Sequence, residues 1–412
     1  MSKRHIATAA ARAGIAKDPA YAAVTPPLYL SSTYELTAFQ QPGAYDYSRT
    51  GNPTRDLLAE ALIELEEGAA AIVTNTGMSA CVLVLQLLTA NDTLVIPHDC
   101  YGGSYRLFIN LSQKKQAFKL VIVNFQQSDW SEQVRLAKPA LIWLETPSNP
   151  LLQITDIQAV CQLAQTLAAK VVVDNTFLSP ILQQPLLLGA DIVLHSTTKY
   201  LNGHSDVVGG AVICADEQVG TELAWWANCL GLTAGAFDSY MALRGIRTLK
   251  PRLQLQQQNA AKIVAFLVQQ PLVAKVYYPG LVDHPGHGIA CRQQQGFGAM
   301  CSFELAAEVS SLSHFFAALD IFTLAQSLGG VESLICHPGT MTHASMDATA
   351  QAAAGLTPTL IRLSVGIEQD SDLIADLEQG FAAVAKLNGL ATTQAAQNNE
   401  SLTLNPALNV LW

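Results

Sequence analysis

Residues 170–200 read KVVVDNTFLSPILQQPLLLGADIVLHSTTKY, and this stretch decides the fold. It contains two short apolar runs, residues 171–173 and 191–194, which end in the polar clusters DNTF and HSTTK. Runs that are apolar on both faces are typical of strands in a buried, mostly parallel sheet. Since parallel strands need a crossover connection, the helix-compatible segment between the runs fits the same interpretation. The stretch therefore predicts two strands of an α/β sheet.

The same pattern occurs three more times towards the N-terminus. Residues 71–73 lead into TNTGMS, residues 93–96 into PHDCYGG, and residues 141–144 into ETPSNP. In sheets of this kind the ligand site forms beyond the carboxyl ends of the strands. We therefore expect these polar clusters to converge with DNTF and HSTTK on one site.

Length and composition exclude several classes of protein. The chain has 412 residues, of which 50% are hydrophobic and only 14% are charged, so it can bury large cores and is not disordered. Its length favours two domains. The net charge of −10, without a basic run, argues against nucleic acid and an anionic membrane surface as partners.

Changes in composition along the chain divide it into four parts. Few periodic apolar positions precede residue 58, so we expect an extended arm over residues 1–57 and a large domain over residues 58–252. A Gln- and Ala-rich helical stretch after Pro251 leads into a second, smaller α/β region, which we place at residues 253–387. Residues 388–412 are a polar tail with an apolar end.

The cysteines and the N-terminus predict a cytoplasmic protein. The 8 cysteines contain no C-x-x-C pair, so we expect buried free thiols in a reducing compartment. Arg12 interrupts the apolar start, which argues against a secretory signal. Residues 68–91 carry no charge, but the polar turn at residues 74–77 makes a strand, a turn and a helix a better interpretation than a membrane span. The motif at residues 284–287, HPGH, reads as a surface loop, and we expect no metal.

Two side chains at strand ends point to one cofactor. Lys199 lies just beyond a buried strand among hydroxyl groups, where partial desolvation lowers a lysine pKa and permits a Schiff base. Asp174, at the end of the preceding run, is an isolated carboxylate that calls for a cation. Pyridoxal phosphate answers both requirements, because it needs a lysine and an acidic partner for its ring nitrogen. Tyr101 could cover its ring, and TNTGMS with Ser196 and Thr198 could hold its phosphate at a helix N-terminus.

Other interpretations remain open at this point. Lys199 could be an ordinary surface lysine, Asp174 a helix cap and Tyr101 a packing residue. Ser196 to Lys199 also fits the S-x-x-K motif of acyl-enzyme serine hydrolases, although the companion K-T-G motif is missing. A binding protein without turnover could use the same scaffold. The chain has neither a Walker A motif nor a G-x-G-x-x-G that follows a strand, which disfavours nucleotide binding.

Six longer motifs resemble one family, the Cys/Met-metabolism pyridoxal-phosphate enzymes, and the resemblance extends from about Thr8 to about Leu387. The motifs are YSRTGNPTRD, TNTGMSA, HDCYGGSYR, VVVDNTFLSP, HSTTKYLNGHSDVVGG and SLGGVESLICHPGTMTHASM. The resemblance implies an α/β subunit of fold type I, similar to aspartate aminotransferase, with a mostly parallel central sheet and a smaller C-terminal α/β domain. It does not cover the polar tail.

The resemblance also assigns roles to residues of the cofactor site. Lys199 would carry pyridoxal 5′-phosphate and move protons, Asp174 would pair with the ring nitrogen, and Tyr101 would stack on the ring. The residues that would bind the phosphate are Gly77, Met78, Ser196 and Thr198, joined by Tyr47 and Arg49 from a neighbouring subunit. The implied assembly is a homotetramer whose active sites are shared across a dimer interface.

The implied substrates are small amino acids. The reaction would be γ-replacement on an O-acylhomoserine, O-succinyl-L-homoserine in the first instance, by L-cysteine to give L-cystathionine; γ-elimination by the same machinery is the alternative. Arg362 would hold the α-carboxylate and Glu332 the ammonium group of the incoming amino acid. Asp46, Arg49 and Arg106 lie where the acyl chain would be recognised.

Overall fold

Two β-sheets organise the chain, of which a computed structural model describes residues 4–344 and 346–387. The tail predicted at residues 388–412 lies outside the described residues. The strands are β1 (Ala70–Thr74), β2 (Thr93–Pro97), β3 (Lys119–Val123), β4 (Leu141–Glu145), β5 (Lys170–Asp174), β6 (Ile192–His195), β7 (Gly210–Cys214), β8 (Val273–Tyr277), β9 (Met300–Leu305), β10 (Thr323–Leu324), β11 (Leu334–Cys336) and β12 (Leu360–Ser364).

Helices cover both sheets and provide most of the connections. They are α1 (Ile6–Ala11), α2 (Pro53–Glu66), α3 (Gly77–Val84), α4 (Gly102–Lys115), α5 (Trp130–Ala137), α6 (Ile157–Leu167), α7 (Ser179–Leu182), α8 (Glu217–Leu230), α9 (Ala236–Ile246), α10 (Leu249–Val268), α11 (His287–Gln293), α12 (Ser311–Ala317), α13 (Ala348–Ala353) and α14 (Asp370–Leu387). Short 3₁₀ helices at Leu85–Leu87 and Pro185–Leu188 complete the set.

The seven-stranded sheet confirms the predicted architecture. Its order is β1-β7-β6-β5-β4-β2-β3, and every neighbouring pair is parallel except those that include β7. All five apolar runs predicted as strands form β1, β2, β4, β5 and β6. The prediction did not include the edge strand β3 or β7, which runs antiparallel between β1 and β6.

The sheet is buried because its side chains alternate between two apolar layers. Trp143 and Val172 pack on one side, in a cluster with residues of α3, α4 and α8. Ile142 and Val173 pack on the other side, with residues of α5 and α6. With both faces covered, the carboxyl edge of the parallel strands is where polar side chains can reach a ligand.

A five-stranded sheet of order β10-β11-β12-β9-β8 forms the C-terminal part of the fold, and only its β10–β11 pair is parallel. The long helix α10 joins the two parts. Its buried side chains, Leu253 and Ile263 among them, belong to one hydrophobic cluster that contains Phe177 beside the large sheet and Phe303 of β9. The two sheets therefore share a continuous core.

The N-terminal residues are more structured than an extended arm would be. Ala9 and Ala10 of α1 are buried in the shared core. Helix α2 begins at Pro53, where the Asn52 side chain accepts hydrogen bonds from the first turn and proline fits the first helical position. Buried Arg55 donates to the carbonyl oxygens of Ser48, Arg49 and Ala234.

The cysteines are all free, and six of the eight are buried as predicted. Cys229 and Cys291 are exposed instead, since they lie on outward-facing positions of α8 and α11. Among the described residues, no helix combines the length and apolar character needed to cross a membrane.

Candidate active site

Lys199 follows β6 and extends into a partly buried space between the two sheets. Its Nζ donates to Ser327 Oγ at 2.6 Å. Burial, and secondarily the charge of Arg362, lower the pKa of Lys199 to about 8. Within the described part of the chain no carboxylate forms an ion pair with this amine. About a tenth of the amine is therefore neutral at pH 7, far more than for an ordinary lysine, and the neutral form is the one that acts as a nucleophile or a general base.

Arg362 of β12 lies opposite this lysine and is almost fully buried. Its guanidinium donates to Asn149 Oδ1 at 2.9 Å and to the Ser327 carbonyl oxygen at 2.8 Å. The buried Nε has no hydrogen-bond partner among the described residues. A buried N–H without an acceptor is costly, and a carboxylate is the acceptor that a guanidinium suits best. This geometry fits a substrate α-carboxylate.

Ser327 connects the lysine with the arginine. Its hydroxyl accepts from Lys199 and its carbonyl oxygen accepts from Arg362. Its φ of 88° lies in the region that favours glycine. Backbone strain of this kind is common where a side chain must be aimed at a functional group.

Asp174 ends β5 at the carboxyl edge of the sheet. Its Oδ1 accepts from the Thr176 backbone N–H at 3.0 Å. Burial raises the pKa of Asp174, while hydrogen bonds from Thr176 and the charge of His195 lower it. A carboxylate that burial disfavours is stabilised by a cation, and a protonated pyridine nitrogen supplies one.

Glu145 of β4 is a second buried carboxyl group, directly paired in register with Asp174. Its Oε2 accepts from the Tyr101 backbone N–H at 2.7 Å. Burial, and then the neighbouring Asp174, hold the pKa of Glu145 well above its usual range. Glu145 therefore tends to the neutral acid form and ties the Tyr101 loop to the strand ends.

The N-terminus of α3 forms an anion site beside Lys199. Thr76 caps the helix by accepting from the Ser79 N–H at 2.8 Å, which leaves the N–H groups of Gly77 and Met78 for a ligand. A Cβ on Gly77 would lie 2.9 Å from the Ser196 Cβ, so only glycine lets the helix start this close to Ser196. The structure thus brings together three of the predicted phosphate ligands.

Thr198 has a different set of contacts. Its hydroxyl donates to the Gly209 carbonyl oxygen at 3.2 Å and accepts from the Gly209 N–H at 3.0 Å. In this arrangement the hydroxyl proton is already used within the chain. Thr198 therefore has to rotate its hydroxyl before it can donate to a phosphate.

Tyr101 precedes α4, and its ring is 41% exposed. The ring packs on the start of the helix, because a Cβ on Gly103 would come within 2.5 Å of the Tyr101 ring and 3.2 Å of Met78 Sδ. Burial, and then Glu145, raise the pKa of Tyr101, whereas Arg106 and Arg362 lower it. The Tyr101 ring thus packs against Gly103, and the charges of Arg106 and Arg362 act on its hydroxyl group.

Tyr47 and Arg49 contact a different part of the same subunit. The Arg49 guanidinium lies 5.4 Å from the centroid of the Tyr47 ring, and its Nε donates to Asn228 of α8 at 2.9 Å. Both side chains line an open cavity of about 340 Å³ between the N-terminal residues and the start of α9. Asp46 is exposed beside them and accepts from the Tyr47 N–H.

The remaining predicted substrate residues lie at the rim of the cleft. Arg106 is exposed on α4, and its charge acts on Tyr101. Glu332 precedes β11, and its carboxylate accepts a hydrogen bond from the Ser205 hydroxyl. The described chain contains no group of three or more His, Cys, Asp or Glu side chains that could hold a metal.

Fold and site together define the class of protein. An amine with a lowered pKa, a buried carboxylate on the adjacent strand and a helix N-terminus beside them fit the three parts of pyridoxal 5′-phosphate. The chain is thus an enzyme of fold type I that uses this cofactor. Its sequence matches the family described as Cys/Met metabolism PLP-dependent enzyme over residues 7–382. The chain belongs to that family.

Several relatives are similar over nearly their whole length. Cystathionine γ-synthase of Escherichia coli (strain K12) is 58% identical over 93% of this chain and 99% of its own. A crystal structure of cystathionine γ-synthase from Xanthomonas oryzae pv. oryzae in complex with aminoacrylate and cysteine matches with a TM-score of 0.92. It shares 54% identity and covers 93% of this chain and 99% of the other. Cystathionine γ-lyase from Lactobacillus plantarum complexed with L-serine has a TM-score of 0.88 and 41% identity, with coverages of 92% and 99%.

Sequence reasoning missed three residues of the site. Ser327 and Asn149 stand inside the quoted motifs SLGGVES and ETPSNP, but nothing in their spacing links them to Lys199 or Arg362. Glu145 carried a usable signal, because a glutamate that ends an apolar run has the same placement as Asp174. That placement would have predicted a second carboxyl group at the sheet edge.

Proposed function

We propose that the enzyme catalyses γ-replacement on O-succinyl-L-homoserine by L-cysteine, which gives L-cystathionine and succinate. The observation that carries the proposal is the free Nε of buried Arg362 beside the Lys199 amine, a pair suited to an α-amino acid. The relatives named cystathionine γ-synthase support the choice of reaction. In the trans-sulfuration route to methionine, this reaction joins the carbon chain of homoserine to sulfur.

Each side chain of the site has a separate role in the proposed reaction. Arg362 holds the α-carboxylate through its planar guanidinium, and Asp174 pairs with the cofactor ring nitrogen. When bound, pyridoxal phosphate withdraws electrons and so makes the α-proton acidic. Lys199, with its pKa near 8, takes up that proton through Nζ and transfers protons between neighbouring carbons. Tyr101 covers the ring, and Gly77, Met78 and Ser196 hold the phosphate, with Thr198 joining them after rotation.

Product analysis tests this proposal. Purified enzyme with O-succinyl-L-homoserine and L-cysteine should form L-cystathionine and succinate in equal amounts. The second candidate is γ-elimination, which the similarity to a cystathionine γ-lyase favours. If the enzyme cleaves L-cystathionine to cysteine, 2-oxobutyrate and ammonia faster than it forms L-cystathionine, the γ-replacement proposal is wrong.

The acyl pocket needs a cation of its own, because Arg362 is committed to the α-carboxylate. We propose that Arg106, near Tyr101, pairs with the distal carboxylate of the succinyl group, and that Arg49 and Asp46 approach it from the arm of a neighbouring subunit. Glu332 is proposed to hold the ammonium group of the incoming cysteine.

Arg106→Ala should lower kcat/KM for O-succinylhomoserine by roughly 10- to 100-fold, because a charge-assisted hydrogen bond contributes about 1.5–3 kcal/mol. The loss with O-acetylhomoserine, whose acyl group is neutral, should be small. Steady-state kinetics with both donors measure the two ratios. Arg135→Ala on the exposed side of α5 serves as the matched control. Equal losses for both donors would show that Arg106 does not recognise the succinyl group.

We further propose a homotetramer in which Tyr47 and Arg49 complete the phosphate site of a neighbouring subunit. The hydrogen bond of Arg49 to Asn228, and the open cavity that both side chains line, support a role outside their own cofactor site. Exposed aromatic side chains nearby, Trp225 of α8 and Phe237 of α9, are 59% and 55% exposed and would be covered by a partner.

Mixing two inactive variants tests the shared site. Arg49→Ala and Lys199→Ala subunits, unfolded and refolded together, should regain roughly a quarter of the wild-type activity. The reason is that half of the dimers are hybrids, and each hybrid contains one site with both native residues. Each variant refolded alone is the control. If Arg49 serves its own subunit, no hybrid contains an intact site and the mixture stays as inactive as its components.

The division into an arm (1–57), a large domain (58–252) and a small domain (253–387) is proposed on the same basis. Arg55 ties the arm to the start of α9, and α10 spans the boundary at residue 252. We also propose that the enzyme works in the cytoplasm, where its eight free thiols stay reduced.

A further inference from the structure

A buried acidic residue lies on the far side of the strands that carry the cofactor site. Glu66, the last residue of α2, is fully buried. Its Oε1 lies 2.5 Å from His195 Nε2 and accepts from Asn175 Nδ2 at 3.0 Å. Its Oε2, like His195 Nδ1, has no hydrogen-bond partner in the described chain. Burial of a carboxylate costs several kcal/mol unless a partner offsets it, so this arrangement is not incidental packing.

Both partners of Glu66 adjoin residues of the cofactor site. Asn175 follows Asp174, and His195 precedes Ser196 at the start of the segment that carries Lys199. The two strand ends are joined directly, because the Asn175 N–H donates to the Leu194 carbonyl oxygen at 2.9 Å. A displacement of either partner would move Asp174 or Ser196 with it. One carboxylate thus holds the ends of β5 and β6 in a common position.

The same contact has an electrostatic consequence. His195 is close enough to Asp174 for a positive imidazole to lower the pKa of that carboxyl group, against the effect of burial. A protonated His195 would face the Glu66 carboxylate, whose Oε1 lies 2.5 Å from His195 Nε2. With His195 protonated, the charges would alternate from Glu66 through His195 to Asp174 and end at the ring nitrogen of the cofactor.

We propose that Glu66 is a positioning residue of the cofactor site: through His195 and Asn175 it holds the strand ends and keeps Asp174 ionised for the ring nitrogen. The proposal rests on the pairing of Asp174 with that nitrogen, as put forward above. It extends the site to a side chain on α2, the helix that begins beside the arm residues.

Glu66→Gln removes the charge and keeps the shape. The amide oxygen can still accept from Asn175 and His195, while the NH₂ group takes the place of the unpartnered Oε2. When the apoprotein is titrated with pyridoxal phosphate, its dissociation constant should be raised roughly tenfold. This ratio corresponds to a change of about one pKa unit in the interaction of Asp174 with the ring nitrogen. With ¹⁵N-labelled cofactor, solid-state NMR should show the ring nitrogen shifted towards the unprotonated form. Glu64→Gln, on an exposed position of the same helix, should change neither reading.

A double-mutant cycle shows whether Glu66 acts through Asp174. In the Asp174→Asn background, Glu66→Gln should raise the dissociation constant by clearly less than tenfold, because Asp174 is already neutral and only the hold on the strand ends remains. An additive tenfold loss, or an unchanged dissociation constant and ¹⁵N shift in Glu66→Gln alone, would overturn the proposal. A Glu66→Gln apoprotein with a lower melting temperature but normal cofactor affinity would also overturn the proposal, since Glu66 would then have only a structural role.

A second variant covers the case in which Glu66→Gln does not fold. His195→Gln keeps a hydrogen-bond donor towards Glu66 and removes the imidazole charge, so it should reproduce both readings and the coupling to Asp174. Normal cofactor affinity in that variant would also overturn the proposal. The two hypotheses fail differently: if Asp174→Asn leaves the ¹⁵N shift unchanged, the ring-nitrogen pairing is wrong, whereas an effect of Asp174→Asn without one of Glu66→Gln rejects only the role of Glu66.

Discussion

Lys199→Ala should lose at least about 1,000-fold in the rate of γ-replacement, the largest effect of any single substitution. In the roles proposed for it, the amine both carries the cofactor and moves protons, and general acid–base catalysis alone contributes about 100- to 10,000-fold. The lowered pKa near 8 and the hydrogen bond to Ser327 support the choice of this amine over a surface lysine. A coupled assay of L-cystathionine formation measures the loss in rate.

Two observations independent of turnover accompany this prediction. The long-wavelength absorption band of the native enzyme should be absent or displaced in Lys199→Ala, and borohydride reduction of the native enzyme should leave the cofactor on the peptide that contains Lys199. Lys114→Ala, on an exposed position of α4, should resemble the native enzyme in all three measurements. An undiminished band together with normal turnover in Lys199→Ala would refute the assignment.

Asp174→Asn should retain the cofactor at saturating concentration yet lose roughly 100-fold or more in rate. The amide has nearly the shape of the carboxylate but no charge, so it no longer stabilises a protonated ring nitrogen, and the electron-withdrawing power of the ring falls. Single-turnover kinetics of α-proton exchange with solvent deuterium measure the affected step directly.

The Asp174 variant is best compared with a substitution of the same chemistry elsewhere. Asp129→Asn, on the exposed start of α5, changes the net charge equally and should leave the exchange rate unaltered. Near-normal exchange in Asp174→Asn would mean that the ring nitrogen works without an anionic partner. Both variants should be examined at saturating cofactor, so that a weaker affinity is not mistaken for slower chemistry.

The strands of the large sheet show which parts of the fold the local sequence pattern predicts. Residues 171–173 and 191–194 were predicted as strands because a segment buried on both faces must be apolar at every position. Strand β3 was missed although residues 120–123 form an apolar run like the others; it lies at the sheet edge, and two of its five residues are exposed. Strand β7 has the apolar run, residues 211–213, but its antiparallel direction depends on its pairing with β1 and β6.

In the candidate site, too, some residues could be predicted from the sequence and others could not. Lys199 and Asp174 could be recognised from sequence, because Asp174 stands directly after an apolar run and Lys199 belongs to the polar cluster that follows the next run. The contact of Arg362 with Asn149 could not be predicted, since it joins β12 to the loop after β4, 213 positions away. The contacts of Thr198, predicted as a phosphate ligand, could not be predicted either, because the bond of its hydroxyl to Gly209 depends on how the loop folds back.

By itself, the sequence determined which segments are buried strands, that polar clusters follow them, and that a lysine and an aspartate stand among those clusters. These properties are local, because burial and strand periodicity act on consecutive residues. Only the tertiary structure decided that Ser327 joins Lys199 to Arg362, that Glu145 holds the Tyr101 loop, and that Glu66 meets His195 behind the site. The first depends on the approach of the two sheets, and the other two on the order of strands in the large sheet and the packing of α2, which arise when distant segments exclude water from a common core.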